Sequence, residues 1–324
     1  MSTVHNPNVP IFMRHADRQF EGGAGVHDIS LTVPAGTIFG LIGPSGCGKT
    51  TTVRLLTGIY RPDSGEVQVL GRPPHRFSQR YRKQIGYVPQ QFALYKLLSV
   101  RENLQFAASL QGMNLFGRQR RLNEMLDFVE LRDARNRLAD HLSGGMQRRL
   151  MLACALIHEP QILFADEPTA GIDPVLREKI WDGFRHSRDE GRSIFVTTQY
   201  VGEAAYCDLV GVMGMGEMIA VDTPANLRRR ALGGDILRIV VPGEQIFSAT
   251  TALRRHQELR RLRYSHDEPG VIYVTVDDAG AALPHALDVL RAVDNLQIRS
   301  AQPHVPPFDE VFVRLMTQQE AVHA

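Results

Sequence analysis

The chain has 324 residues, 43% of them hydrophobic, and 37 Lys and Arg against 35 Asp and Glu leave a net charge of +2. That length allows a large core and one smaller extra domain, and the near-balance of charge gives no general case for nucleic acid as a partner. No uninterrupted apolar run reaches the ~18 residues needed to span a bilayer, and the polar N-terminus, Met1 to Pro10, lacks the apolar core of a signal peptide.

Strand-like runs near Ile11–His15 and Val26–Val33 open the chain. Ile38–Ile42 is a short apolar run that reads as a buried strand, and Thr50–Leu56 reads as the start of a helix. Between them, residues 43–50 are Gly-Pro-Ser-Gly-Cys-Gly-Lys-Thr, which fits G-x-x-x-x-G-K-[ST] in the strand–loop–helix context of a phosphate loop. Gly43, Gly46 and Gly48 admit backbone angles closed to residues with a Cβ, so successive N–H groups can converge on phosphate oxygens. The helix N-terminus adds partial positive charge. The candidate nucleotide-binding run is therefore Gly43, Pro44, Ser45, Gly46, Cys47, Gly48, Lys49, Thr50 and Thr51. Lys49 would bind the β- and γ-phosphates of a nucleotide, and the Thr50 hydroxyl would ligate Mg²⁺. Cys47, beside Lys49 and the helix N-terminus, is expected to have a lowered pKa and thiolate character.

From about Phe92 to His158 the pattern is mainly helical. Residues 142–150 within it are Leu-Ser-Gly-Gly-Met-Gln-Arg-Arg-Leu. Ser143 suits an N-cap, and Leu150, Met151, Cys154, Leu156 and Ile157 give the helix after it an apolar face. In residues 161–168, Gln-Ile-Leu-Phe-Ala-Asp-Glu-Pro, apolar residues lead into two carboxylates. This reads as a buried strand delivering acids to the carboxyl edge of a sheet, where open α/β sheets bind ligands. Asp166 would hold Mg²⁺ through water, and Glu167 would polarise the attacking water as general base. Asp173 before Pro174 is a strong start for a helix from Val175 to Arg188, and Ile194–Thr197 is a second buried strand. Three cysteines far apart in sequence suggest neither a disulfide framework nor a metal site and fit a reducing compartment.

Gly233-Gly234 marks a break. Beyond it come strand Ile236–Val241, helix Phe247–His256, strands near Leu262–Tyr264 and Val271–Val276, helix Pro284–Val293 and strand Leu296–Ser300. This β-α-β-β-α-β order suggests a small ferredoxin-like unit. The tail, from Pro-Pro-Phe-Asp-Glu onward, starts a helix after prolines. No catalytic constellation is visible here. His256, His266 and His285 are scattered and miss zinc spacings, which leaves a dimer-stabilising or regulatory role.

The phosphate loop, the Leu-Ser-Gly-Gly-Met-Gln segment and the Asp-Glu-Pro strand end together resemble the ATP-binding subunit of an ATP-binding cassette (ABC) transporter. The resemblance is very specific over residues 38–222 and looser beyond. It implies an α/β fold, a P-loop NTPase cassette with a mixed sheet core, a small antiparallel subdomain and a helical subdomain at about 92–158. The cassette would span residues 1–232, with an α+β accessory domain at 235–324. Ser143, Gly144, Gly145 and Gln147 would form the signature that meets the nucleotide of a second copy, so that two chains close head to tail on ATP. Gln90, in Gly-Tyr-Val-Pro-Gln, matches the Q-loop glutamine that contacts the metal or the water. Asp173 matches the D-loop residue that crosses between protomers, and Phe20 the aromatic that stacks on adenine. Phe92, Leu94, Tyr95, Leu97 and Leu98 would help form the groove for a coupling helix of a separate integral membrane permease. The chain would thus act as a peripheral subunit at the cytoplasmic face of the inner membrane.

One position departs from the family. Residues 196–200 are Val-Thr-Thr-Gln-Tyr, so Gln199 stands where the switch histidine is usual. Its amide can donate a hydrogen bond to the γ-phosphate, but it cannot become cationic or act as an acid near neutral pH. The Thr-Thr-Gln-Tyr form resembles drug-resistance exporters of the daunorubicin type, which implies export of a drug, lipid or secondary metabolite. The competing class is a soluble ABC ATPase acting on ribosomes or DNA. Its translation type usually carries two cassettes joined by a charged linker, and its repair type inserts a long coiled coil or zinc modules. The stretch from Gln90 to Ser143 is short, with no sustained heptads and no paired cysteines. A P-loop kinase or GTPase would not need the signature segment.

Overall fold

In the computed structural model, which describes residues 9–259, 261–265 and 268–323, the chain divides into two units, Met1–Thr223 and Pro224–Ala324. The first begins with β1 (Ile11–Gln19) and β2 (Gly25–Val33), whose near-alternating burial marks a sheet with one face in the core. β3 (Ile38–Ile42) is buried at all five positions and leads through the phosphate loop into α1 (Lys49–Leu56). β4 (Ser64–Val69) completes a small antiparallel sheet of order β2-β1-β4. A single turn, α2 (Gln79–Arg82), precedes β5 (Ile85–Val88).

The helical part comprises α3 (Val100–Leu110), α4 (Leu115–Phe128) and α5 (Gly144–Leu156). It starts later than Phe92, because residues 92–98 form a loop. Asn103 of α3, buried, holds that loop. Its amide oxygen accepts from the Tyr95 N–H at 2.9 Å, and its amide nitrogen donates to the carbonyls of Tyr95, Leu98 and Ser99. Ser99 and Glu102 cap the helix reciprocally, which fixes where it can begin.

β6 (Ile162–Asp166), α6 (Pro174–Asp189) and β7 (Ser193–Thr198) follow, the two strands buried throughout. Two strands that the apolar pattern did not signal complete the unit, β8 (Leu209–Gly214) and β9 (Glu217–Asp222). They turn at Met215-Gly216, both with positive φ, as a tight hairpin demands. The large sheet has the order β5-β6-β7-β3-β8-β9, parallel except for β9. Phe39, Phe164 and Phe195 lie fully buried, with the Phe39 and Phe195 rings stacked at 5.0 Å. Trp181 and Phe184 of α6 are also fully buried, and truncating either would cost about 3–5 kcal/mol. Registers Ile42↔Thr198 and Asp166↔Thr197 set the carboxyl ends of β3, β7 and β6 side by side. The phosphate loop, the Asp166–Glu167 pair and Gln199 therefore emerge at one edge.

The second unit begins with α7 (Pro224–Leu232), whose Leu227, Ala231 and Leu232 are buried. The boundary in contacts thus precedes this helix rather than following residue 232, because α7 packs on the C-terminal helix of the second unit. β10 (Asp235–Val240), α8 (Ile246–Arg254), β11 (Arg261–Tyr264), β12 (Val271–Val276), α9 (Ala279–Arg291), β13 (Ser300–His304) and α10 (Phe308–His323) follow. The antiparallel sheet order β11-β12-β10-β13 places one strand between the members of each β-α-β pair, the split arrangement of the ferredoxin-like motif.

Two elements differ from expectation. α9 starts at Ala279 rather than Pro284, because Asp278 caps it by accepting from the Ala281 N–H at 2.9 Å. β13 is Ser300–His304 rather than Leu296–Ser300. Leu296 and Ile298 pack on the core, and pairing with β10 begins only at Ser300↔Val240. Pro303 is tolerated there because β13 is an edge strand. His256 and His285, scattered in sequence, meet edge to face at 4.9 Å, while His266 lies outside the described residues. Among the described residues no helix is long and apolar enough to cross a membrane.

Candidate nucleotide site

A cavity of about 270 Å³ at the shared strand edge is lined by Phe20, Ala24, Gly25, Ser45, Gly46, Gly48, Lys49, Thr50, Thr51, Gln90 and Glu167. Four segments separated in sequence thus face one space. Gly46 and Gly48 take positive φ, 81° and 105°, and Gly48 caps α1 in that left-handed conformation. Gly43 does not, contrary to expectation. It must be glycine for a different reason, because a Cβ there would lie 2.5 Å from the Met213 carbonyl oxygen and 2.6 Å from Cys47 Sγ. Lys49 is buried, and its Nζ donates to the carbonyls of Gly43 at 2.7 Å and Pro44 at 2.9 Å. The Thr50 hydroxyl reaches Gln90 Oε1 at 3.5 Å.

Gly43, Pro44 and Cys47 do not line the cavity. The expectation of a reactive Cys47 is overturned. Its side chain turns into the core, and burial pushes the thiol pKa up, outweighing the lowering influence of Lys49 and the loop N–H groups. Burial also pushes Cys154 up to about 12, and it raises Cys207.

Asp166 is fully buried at the end of β6. Its Oδ1 accepts from the Thr197 hydroxyl at 2.5 Å, whereas Oδ2 is buried with no hydrogen-bond partner among the described residues. Glu167 has φ 53°, a left-handed conformation that costs a non-glycine residue of order 1–3 kcal/mol. Its N–H donates to the Thr197 carbonyl at 3.0 Å and lies 3.1 Å from the Thr197 hydroxyl, and these contacts hold the turn that brings Glu167 to the cavity. Thr197 was invisible to motif reasoning because its role depends on register with β6.

Arg148 was missed as well. It is buried on α5 and donates to the carbonyls of Pro89 at 3.2 Å and Gln90 at 2.8 Å, with its guanidinium 5.2 Å from the Phe92 ring. Burial lowers its pKa, against the raising effect of Glu167 and Asp166. The one sequence signal is a cation among the apolar positions of a helix.

The remaining predicted residues, Phe20 excepted, lie apart from the cavity. Ser143 caps α5, its hydroxyl accepting from the Met146 N–H at 3.3 Å, and it is exposed together with Gly144. At Gly145 a Cβ would lie 2.9 Å from the Gly171 carbonyl oxygen, so this glycine permits close packing on the turn before Asp173. Gln147 donates to the carbonyls of Ala139 at 3.1 Å and Leu142 at 3.2 Å, which commits its amide to the loop entering α5. Asp173 is exposed and caps α6 by accepting from the Leu176 N–H at 3.0 Å. Gln199 is exposed just beyond β7. At the cavity rim the Phe20 ring meets Tyr60 edge on at 5.3 Å and carries the Arg18 guanidinium at 5.2 Å.

The chain is similar to known proteins. The ABC transporter family matches residues 26–170. The daunorubicin/doxorubicin resistance ATP-binding protein DrrA of Streptomyces peucetius is 33% identical over 304 residues, covering 91% of this chain and 89% of that protein. The probable multidrug ABC transporter ATP-binding protein YbhF of Escherichia coli (strain K12) is 36% identical over 214 residues, 66% of this chain, and the match spans 37% of that relative's length. A solved dimeric structure of the ATP-binding cassette MJ0796, in a post-hydrolysis state bound to ADP and Pi, superposes with a TM-score of 0.62 at 26% identity, covering 66% of this chain and 98% of that one. The chain belongs to the ABC transporter ATP-binding family, and its cassette is an ATPase.

Proposed function

We propose that this chain is the motor subunit of an export system, in which two copies close head to tail around two ATP and drive a separate integral membrane permease. The carrying observation is the division of the site. Lys49, Gln90 and Glu167 line one cavity, while the exposed N-terminus of α5 at Ser143 and Gly144 lies outside it. One chain thus presents two incomplete halves, and a second copy completes each. The full-length similarity to DrrA favours export of a drug, lipid or secondary metabolite over action on ribosomes or DNA. Nucleic acid is not a partner in this reading, and the inner membrane is reached at its cytoplasmic face through the permease.

Within the site, Lys49 neutralises the β- and γ-phosphates of ATP, backed by the loop N–H groups of Ser45 to Thr51 and the N-terminus of α1. Phe20 stacks on adenine. Mg²⁺ fits the residues present, since the Thr50 hydroxyl lies beside the Gln90 amide and Asp166 keeps one buried oxygen without a hydrogen-bond partner among the described residues. When bound, the ion supplies positive charge against the phosphates. Glu167, held by Thr197, takes the proton of the attacking water. Gln199 donates its amide hydrogen to the γ-phosphate. Ser143, Gly144 and Gly145 offer a helix N-terminus to that phosphate from the partner copy, and Asp173 sits where the protomers cross. Gln147 serves by shaping the loop before α5.

Replacing Glu167 with Gln should slow hydrolysis and leave the phosphate contacts intact. With saturating ATP and Mg²⁺, light scattering should show this variant as a dimer, and a second change, Ser143→Arg, should return it to monomer. A monomeric Glu167→Gln protein under those conditions overturns the composite-site reading. Co-purification of a protein with about six apolar segments of spanning length would support the transport assignment.

A further inference from the structure

Just beyond Gln199, a short 3₁₀ helix (Val201–Tyr206) carries Glu203, only 3% exposed. Its Oε1 accepts from the hydroxyl of the fully buried Thr169 at 2.7 Å, two residues past Glu167. The same oxygen lies 3.7 Å from Nε of Arg177 on α6. Arg177 in turn donates to the Ile172 carbonyl at 3.0 Å and lies 4.6 Å from the Tyr200 ring. One buried carboxylate therefore ties together the turn after Glu167, the loop before Asp173 and the segment that holds Gln199.

This arrangement is poorly suited to stability alone. Glu203 Oε2 and Arg177 Nε are both buried without a hydrogen-bond partner among the described residues. A buried ion pair with unsatisfied atoms is often no better for stability than apolar packing of the same volume. Its value lies in direction, because the Thr169–Glu203 hydrogen bond, the charge contact of Glu203 with Arg177 and the Arg177 hydrogen bond to the Ile172 carbonyl link three backbone segments. We infer that Glu203 is a positioning residue for hydrolysis, setting the turn of Glu167 and the segment of Gln199 in one shared geometry. This rests on the ATPase roles proposed for Glu167 and Gln199.

The test is kcat and KM for ATP in Glu203→Ala, Glu203→Gln, Thr169→Val and the double variant Thr169→Val/Glu203→Ala. Misplacing catalytic groups by about 1 Å costs up to about a hundredfold, so Glu203→Ala should lose about ten- to a hundredfold in kcat with KM within about threefold. Glu203→Gln still accepts from Thr169 and should recover most of that loss. The double variant should be no worse than the poorer single one, since both remove the same link. A kcat within twofold of wild type in Glu203→Ala, or multiplied losses in the double variant, overturns the inference. Should Glu203→Ala fail to fold, Thr169→Val carries the same test with one hydroxyl removed, and an unchanged kcat there overturns it equally. Glu167→Gln separates the two failures. Normal hydrolysis in that variant sinks the role of Glu167 as general base, and with it the reading on which this inference rests, whereas a dead Glu167→Gln beside a normal Glu203→Ala sinks only the role of Glu203.

Discussion

The cavity at the phosphate loop and the N-terminus of α5 offer phosphate the same chemistry, backbone N–H groups at a helix start, in opposite settings. At the first, Lys49 is buried and segments from four parts of the chain converge. At the second, Ser143 and Gly144 are exposed and lie outside the cavity. A phosphate group bound in the cavity would be desolvated and held on several sides. The same group at α5 alone would meet one helix end in water, where such an interaction is worth only about 0.3–1 kcal/mol. The difference teaches that the N-terminus of α5 would hold a phosphate strongly only if another surface excluded water from it.

The largest effect that could break this comparison comes from complementation. Lys49→Ala and Ser143→Arg should each abolish turnover alone. Mixed in equal amounts they should regain measurable ATPase activity, up to about a quarter of the wild-type rate, because half of randomly paired dimers hold one intact composite site. No recovery in the mixture would mean that each chain works with its own signature. Gln199 emerges at the same strand edge as the phosphate loop but does not line the cavity, and its contribution should be intermediate. Losing a hydrogen bond to a charged group costs about 1.5–3 kcal/mol, so Gln199→Ala should lose roughly ten- to a hundredfold in kcat. Gln199→His should stay active and gain an acidic limb near pH ~6.5 in its rate profile, which the wild type lacks. Rates between pH 5.5 and 8.5 at saturating ATP decide this, and an unimpaired Gln199→Ala removes Gln199 from the mechanism.

Smaller effects sharpen the picture of what lies beneath each half. Cys47 is buried under the loop with its pKa raised, so brief treatment with N-ethylmaleimide at neutral pH should change turnover by less than about twofold. Rapid ATP-protectable inactivation, lost in Cys47→Ala, would restore the thiolate view. The smallest effect concerns His158, just past α5. Burial lowers its pKa, although the Ile85 carbonyl at 3.2 Å from its Nε2 opposes this. The unfolded chain then binds the extra proton first. Stability is therefore full above the unfolded value of about 6.5 and falls as pH drops below it, by at most ~1.4 kcal/mol per pH unit. Urea midpoints between pH 7.5 and 5.5 should show a shallower decline for His158→Gln than for the wild type.

The sequence by itself determined the parts whose chemistry is local. The phosphate loop, the acids after β6, the caps at Ser143 and Asp173 and the buried strands β3, β6 and β7 each need only neighbours in the chain, so spacing and residue type reveal them. It also gave the β-α-β-β-α-β order of the second unit, because alternating periods of two and 3.6 residues survive in any context. Tertiary structure decided whatever depends on a partner far away in sequence. Thr197 matters because register sets it opposite Asp166, Arg148 because it reaches the backbone of Gln90, and Glu203 because it meets Thr169. Cys47 reversed its expected character for the same reason. Charge nearby in sequence argues for a thiolate, but the packing around Sγ, set by distant residues such as Met213, removes the water that a thiolate needs. Leu296 and Ile298 show the rule for strands, since an apolar pattern reports burial, whereas pairing is decided by the neighbouring strand.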